Sequence, residues 1–366
     1  MKNYFFKFIL FSLSILFTYI FVFFYFFSTF EKDFKNNYKN TENLLIYKKY
    51  SNKIDHLRYH DKYRFEKVGE QMIFNNIKDI SDKKVILFQG DSWMYQINTY
   101  KSIHPMLNQS LPSFTKIING GTASYSPSLI NVQYNILEKD FKIKPNVLVI
   151  YIDQTDMGDE ICRYKNLTKF DSSGNLISVS MEKFPLYKDV FNLHEEIVFS
   201  EIEMKKTSKF IKTQIYINYK IKKSYFRTKK RINNYFNKSQ FKCEWKLIEN
   251  YKVSINDKDK KYFKMTLEKL FLMLEKKKFI EKVFVVTHPH KLQLTTNLYP
   301  VNVSNFVSEV SKDFNKIHHI NFTKILKENP NFYKDFETIW LKDNIHLDET
   351  NYKKFLNEIV KTIKNN

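Results

Sequence analysis

The sequence predicts an α/β protein: a mostly parallel sheet covered by helices on both faces, carried on an N-terminal transmembrane helix. Three observations predict it. Short apolar runs rich in Val, Ile and Phe alternate with stretches of helical periodicity. Three of only six glycines, Gly90, Gly120 and Gly121, stand at the ends of such runs. Residues 8–27, FILFSLSILFTYIFVFFYFF, carry no charge.

The composition is consistent with this reading. Of 366 residues, 43% are hydrophobic and 27% charged, a globular balance that excludes a wholly disordered or collagen-like chain. Two cysteines cannot build a disulfide scaffold or a metal ribbon. The net charge of +21 raises nucleic acid and anionic membrane as partners. The lysines are spread along the chain, and no nucleic-acid-binding module is recognisable, so nucleic acid is not expected.

The apolar opening run spans about 30 Å at about 1.5 Å per residue, the thickness of a bilayer's hydrocarbon. Bulky aromatics fill the region where a signal peptide would be cleaved, so residues 1–30 read as an uncleaved single-pass anchor, with cleavage near Ser28 and Thr29 as the alternative. Lys2 and Lys7 favour an N-terminus inside the cell and a main domain outside the cytoplasm, on the periplasmic side. Residues 31–80 then read as a helical lead-in.

Strands are expected at 84–89 (KVILFQ), 116–119, 146–152 (NVLVIYI), 282–287 (KVFVVT) and 318–322. Helical patterns lie at 129–137, 263–277, 303–314 and 351–363, the last with Tyr352, Phe355, Ile359 and Ile363 on one face. Strands alternating with helices imply a parallel sheet with both faces covered. Residues 159–261 interrupt the rhythm and read as a basic, aromatic-rich insertion: residues 201–260 hold 17 Lys/Arg against 6 Asp/Glu. A lipid surface, an acidic glycan and plain solvent are all open as its surroundings. Cys162 and Cys243 either pair, which would add roughly 4 kcal/mol in the chain-entropy model, or remain buried thiols.

Three motifs carry chemistry. Gly90-Asp91-Ser92 ends the first strand, where open α/β sheets place ligands and a following helix offers unpaired N–H groups; an Asp/Ser helix cap is the alternative. Asn119-Gly120-Gly121, leading into Tyr125-Ser126-Pro127, ends the second. Near the C-terminus Asp343 precedes His346 by three residues, close enough on a turn for the carboxylate to orient the imidazole as the base for a serine. His288 and His290 end the fourth strand without a Cys/Asp cluster. They read as turn residues or substrate contacts, and no metal or cofactor is expected.

Taken together, Gly90-Asp91-Ser92, Asn119-x-Gly121 and Asp343-x-x-His346-Leu347 resemble, in order, the blocks of the SGNH (GDSL-type) hydrolase superfamily, over residues 81–158 and 262–366. The resemblance implies a flavodoxin-like three-layer α/β/α sandwich. It implies Ser92 as nucleophile, His346 and Asp343 completing a triad, and the N–H of Gly121 in an oxyanion hole. One block departs. Where the family has Gly-x-Asn-Asp, this chain has Asp153-Gln154-Thr155-Asp156, so Thr155 stands at the Asn position. The Thr155 hydroxyl or the Gln154 amide would have to replace an oxyanion donor whose loss costs on the order of 3 kcal/mol. That departure and the Tyr-Ser-Pro run are more similar to the membrane-associated branch that includes polysaccharide O-acetyltransferases. The activity implied is that of an esterase or acyltransferase on an acyl ester of a cell-envelope carbohydrate or lipid. The alternative is a catalytically inactive envelope protein of the same fold that binds glycan or a partner complex.

Overall fold

The computed structural model describes residues 2–37, 50, 53–54, 84–114, 116–179, 256–296 and 302–366, with scattered positions between 208 and 228. They fall in two compact units. The remainder of the 31–80 lead-in and most of 180–255 lie outside the described residues.

The first unit comprises Met1–Tyr50, Leu57–Gly69 and Met181–Lys242. Its helix α1, Lys2–Asn37, contains a 25-residue stretch, Tyr4–Ser28, of mean hydropathy 2.3, long and apolar enough to cross a membrane. Phe5, Phe8, Phe11, Phe17 and Phe21 are all exposed on it. One stripe is covered instead. Tyr19 donates to Gln214 Oε1 at 3.0 Å, the Phe23 ring lies 4.9 Å from that of Phe210, and the Lys209 ammonium sits 4.6 Å from the Phe27 ring.

The second unit comprises Ser51–His56, Glu70–Ser180 and Cys243–Asn366. Its sheet is formed by β1 (Val85–Gln89), β2 (Lys116–Asn119), β3 (Val147–Tyr151), β6 (Lys282–Thr287) and β7 (Ile317–Asn321), all parallel, in the order β2-β1-β3-β6-β7. That is the flavodoxin-like order, with the topological switch between β1 and β3. VILFQ and VLVIY are buried at every position, as strands covered on both faces require.

One face is covered by α2 (Ser92–Thr99), α3 (Ile103–Ser110), α9 (Phe322–Glu328) and α10 (Glu349–Asn365), which share a core with Phe88, Val149, Tyr151 and Phe284. The helices α4 (Pro127–Phe141), α6 (Asp257–Glu275) and α8 (Val303–Ser311) pack on one another in the other layer. Tyr352, Phe355, Ile359 and Ile363 of α10 are buried, as their spacing predicts, and Asp348 caps that helix through the Asn351 N–H. The fifth strand ends at Asn321, because Asn321 caps α9 and Phe322 opens it.

Five further elements of this unit lie among the described residues. β3 leads through a tight loop into α5 (Asp156–Asp159), which continues directly into a π-helical turn, Glu160–Tyr164. A hairpin of β4 (Thr168–Phe170) and β5 (Leu176–Val179) follows and packs against α4. A short helix α7, Lys291–Thr296, follows β6. Residues 159–179, at the start of the basic stretch, therefore belong to the unit that holds the sheet.

Candidate active site

Gly90 makes the exit from β1. Its φ is +144°, and a Cβ there would lie 2.8 Å from the Tyr151 carbonyl oxygen and 2.9 Å from Tyr151 Cβ, so a side chain is excluded. Asp91 then caps α2, its Oδ1 accepting the Trp93 N–H at 2.9 Å. These two residues set Ser92 in the first turn of α2, among the N–H groups no helix can satisfy internally.

The turn before α10 brings the other partners. Asp343 Oδ1 accepts the N–H groups of Ile345 and His346, each at 3.0 Å, around Asn344 at φ +58°. His346 Nδ1 lies 2.6 Å from Asp343 Oδ2 and its Nε2 lies 2.7 Å from Ser92 Oγ. A carboxylate only accepts, so Nδ1 carries the proton and Nε2 is left to accept the Ser92 hydroxyl. Burial pushes the Asp343 carboxyl up, but the His346 side chain and the His346 and Ile345 N–H groups outweigh it and hold it well below the usual carboxylate range. The group remains open to solvent: His346 is 19% and Asp343 44% exposed.

What holds the turn against α2 lies outside the motifs. Gln96 Nε2 and the Tyr100 hydroxyl both donate to the Leu347 carbonyl oxygen, at 3.0 and 3.1 Å. The Tyr352 hydroxyl donates to the Trp93 carbonyl oxygen at 2.5 Å. Trp93 itself stacks on Tyr151, ring centroids 4.9 Å apart, and packs against His288 at 4.8 Å. A run of polar and aromatic residues in an early helix gives no sequence signal for contacts with the last thirty residues.

Gly121 lies where helix and strand end meet. A Cβ on it would sit 2.4 Å from the Met94 carbonyl carbon. Its N–H donates to Asn119 Oδ1 at 2.8 Å, while Asn119 Nδ2 donates to the Met94 carbonyl oxygen at 3.0 Å. The two residues of the departing block are also engaged. The Thr155 N–H and hydroxyl both donate to Asp153 Oδ2. Gln154 Oε1 accepts from Gln293 Nε2 at 3.1 Å and from the Val303 N–H at 3.0 Å.

Below this edge lies a buried acidic layer: Asp91, Asp153 and Asp156, which belong to the motifs, and Asp159, which no motif announced. Burial, then the charges of its neighbours, pushes Asp91 and Asp156 well above the usual range. Asp153 moves the other way. Burial alone would raise it, but His290 at 2.7 Å and the two donors of Thr155 bring it down to about 2. His288 is buried between the Pro289 carbonyl oxygen and the Tyr333 hydroxyl, and burial pushes its pKa down to about 3. Among the described residues no group of three His, Cys, Asp or Glu side chains is placed to hold a metal ion.

No protein-family model and no curated protein matches the chain. Among solved structures it is similar to a putative acylhydrolase from Bacteroides fragilis, at 12% identity and a TM-score of 0.39, over 83% of this chain and 98% of that one. It is also similar to a variant of the acetyl xylan esterase Axe2 from Geobacillus stearothermophilus, at 12% identity and a TM-score of 0.36, over 75% and 94% of the two chains. A third is the SGNH-hydrolase family esterase AlinE4, at 9% and 0.34, over 78% and 98%. By its own strand order and helical layers, the chain is a flavodoxin-like α/β/α protein with a hydrogen-bonded Ser–His–Asp constellation at the carboxyl edge of its sheet.

Proposed function

We propose that the protein is a membrane-anchored serine esterase or acyltransferase acting on an acyl ester of a cell-envelope carbohydrate or lipid. The observation that carries this reading is the continuous path from Ser92 Oγ through His346 to Asp343, with contacts of 2.7 and 2.6 Å, open to solvent. His346 Nε2 takes the Ser92 proton as Oγ bonds to the acyl carbon. The tetrahedral intermediate collapses, the leaving alkoxide receives that proton from His346, and an acyl-serine remains. Water entering by the reverse of these steps completes hydrolysis; a sugar hydroxyl completes transfer.

The oxyanion is met by the Ser92 N–H at the start of α2 and by the Gly121 N–H once it leaves Asn119. The Thr155 hydroxyl serves as a third donor only on release from Asp153, with the Gln154 amide as its alternate. The α1 helix is the anchor. The disulfide at Cys162, for which the sequence offers only Cys243 as partner, fits an oxidising compartment on the periplasmic side.

A fluorophosphonate probe, applied to the full chain in detergent, is expected to label Ser92 and to leave Ser92→Ala unmodified. A well-folded parent protein that resists the probe would remove the enzymatic reading. The second reading, a non-catalytic protein binding glycan or a partner complex, is favoured by one observation: the Gly121 N–H and the Thr155 hydroxyl are both engaged inside the protein. It predicts that Ser92→Ala leaves the biological activity intact.

A further inference from the structure

The loop between β2 and α4, residues 120–126, carries Gly121 to the start of α2. Its own residues do not account for its shape. Ser124 has φ +62°, a left-handed conformation that costs a non-glycine residue of order 1 kcal/mol or more and persists only where the surroundings impose it. Ser126 occupies the N-cap of α4 but makes no capping bond to its own helix, and Pro127 at the next position has no N–H to offer.

Both deficits are met from the π-helical turn Glu160–Tyr164, closed by the Lys165 N–H on the Glu160 carbonyl oxygen at 2.8 Å. The Glu160 carboxylate is fully buried. It accepts the hydroxyls of Ser126 and Ser128 and, at 3.1 Å, the Ser128 N–H, so it caps α4 from a different element. The Tyr164 hydroxyl donates to the Ser124 carbonyl oxygen at 2.9 Å, fixing the strained residue. Between them, Cys162 is disulfide-bonded, which pins the turn itself. A buried carboxylate is tolerated because donors surround it, and π-helical turns are rare features found often at functional sites.

We propose that this turn is a strap: Glu160 and Tyr164 are positioning residues that hold the Gly121 loop against the N-terminus of α2. The inference rests on the acyl-transfer reading above and extends it to residues that touch neither the triad nor a substrate. An oxyanion donor acts only once charge develops on the acyl oxygen, so loosening the strap lowers kcat and leaves KM in place.

The test uses the full chain in detergent with p-nitrophenyl acetate, and compares the parent with Tyr164→Phe, Glu160→Gln and Glu160→Ala. Tyr164→Phe is expected to lower kcat about tenfold, less than outright loss of a donor, with KM within about twofold. Amide hydrogen exchange is expected to rise in residues 121–126 and to stay unchanged in β1 and β3. Glu160→Gln, which keeps the shape and one acceptor, is expected to retain more kcat than Glu160→Ala. Should Glu160→Ala fail to fold, Tyr164→Phe, which loses one hydroxyl, decides. Parent-like kcat and parent-like exchange in Tyr164→Phe would overturn the strap while leaving the triad standing. A parent that neither hydrolyses the ester nor labels at Ser92 would overturn the acyl-transfer reading and the strap's catalytic role with it.

Discussion

Among the described residues, two Asp–His pairs are of nearly equal length, Asp343–His346 at 2.6 Å and Asp153–His290 at 2.7 Å. The first lies on an exposed turn, and its imidazole reaches a serine hydroxyl with its other nitrogen. The second is sealed in the acidic layer, each side chain 1% exposed, and its carboxylate is spent on the backbone and hydroxyl of Thr155. The pair itself therefore does not make a catalytic group. Solvent access and a serine hydroxyl on the far nitrogen distinguish the first pair from the second.

The largest effect expected from breaking this comparison is on activity at the exposed pair. His346→Ala should lower kcat for ester hydrolysis by on the order of 10^6-fold, and Asp343→Asn by on the order of 10^4-fold through the wrong tautomer, both with a melting temperature near the parent's. Parallel losses of activity and melting temperature would place this pair in the structural class instead.

Removing one member of the buried pair should do the reverse. His290→Ala leaves Asp153 as an uncompensated buried charge, a loss of about 3–5 kcal/mol in stability by denaturant titration. A sharper form replaces both, Asp153→Leu with His290→Leu, which should recover much of that loss. If His290→Ala were as stable as the parent, the pair would not be structural.

Next in size is the Cys162 disulfide; Cys243, the other cysteine of the sequence, also lies within the basic stretch. Reduction should lower stability by about 4 kcal/mol at most in the chain-entropy model. It should also raise amide exchange in residues 160–164 before β1 or β3 is affected. A thermal scan with and without a membrane-permeant reductant checks the first, and exchange mass spectrometry the second.

The smallest effect is a pH dependence. Asp156 is buried and its carboxyl is raised, first by burial and then by Asp91 and Asp153. The folded state thus keeps a proton that the unfolded state releases above about pH 3.9. Stability attributable to this group falls as pH rises from there towards the folded value, by no more than about 1.4 kcal/mol per pH unit. Asp156→Asn keeps an acceptor for the Asp153 N–H, a bond of 2.9 Å in the parent, and removes the titration. Its gain in melting temperature should therefore be larger at pH 8 than at pH 4. An equal gain at both would mean that Asp156 is not held protonated.

Much of this is legible in the sequence because the signals are local. Runs such as VLVIY mark strands buried on both faces whatever surrounds them, and all five sheet strands lie where such runs stand. Gly90 and Gly121 are rare glycines at strand ends, and both stand where a Cβ would collide with a neighbouring element. Asp343 and His346 lie within one turn, so their pairing needed no long-range information. In the sequence His290 shows only as a turn or substrate residue, because its partner lies 137 positions away on another strand end. Thr155 and Gln154 stand at the oxyanion position only by resemblance to a motif, which carries no record of where their polar atoms are committed.

By itself, then, the order of residues determined the elements, their alternation and the apolar opening helix, since periodicity, cap residues and chain stiffness act over a few positions. Only folding in three dimensions decided which strand lies beside which, that 254 positions of chain close between a hydroxyl and an imidazole, and which of two similar pairs meets solvent. Those outcomes depend on packing across the sheet, where the energy of a contact belongs to both partners and neither sequence neighbourhood carries it alone.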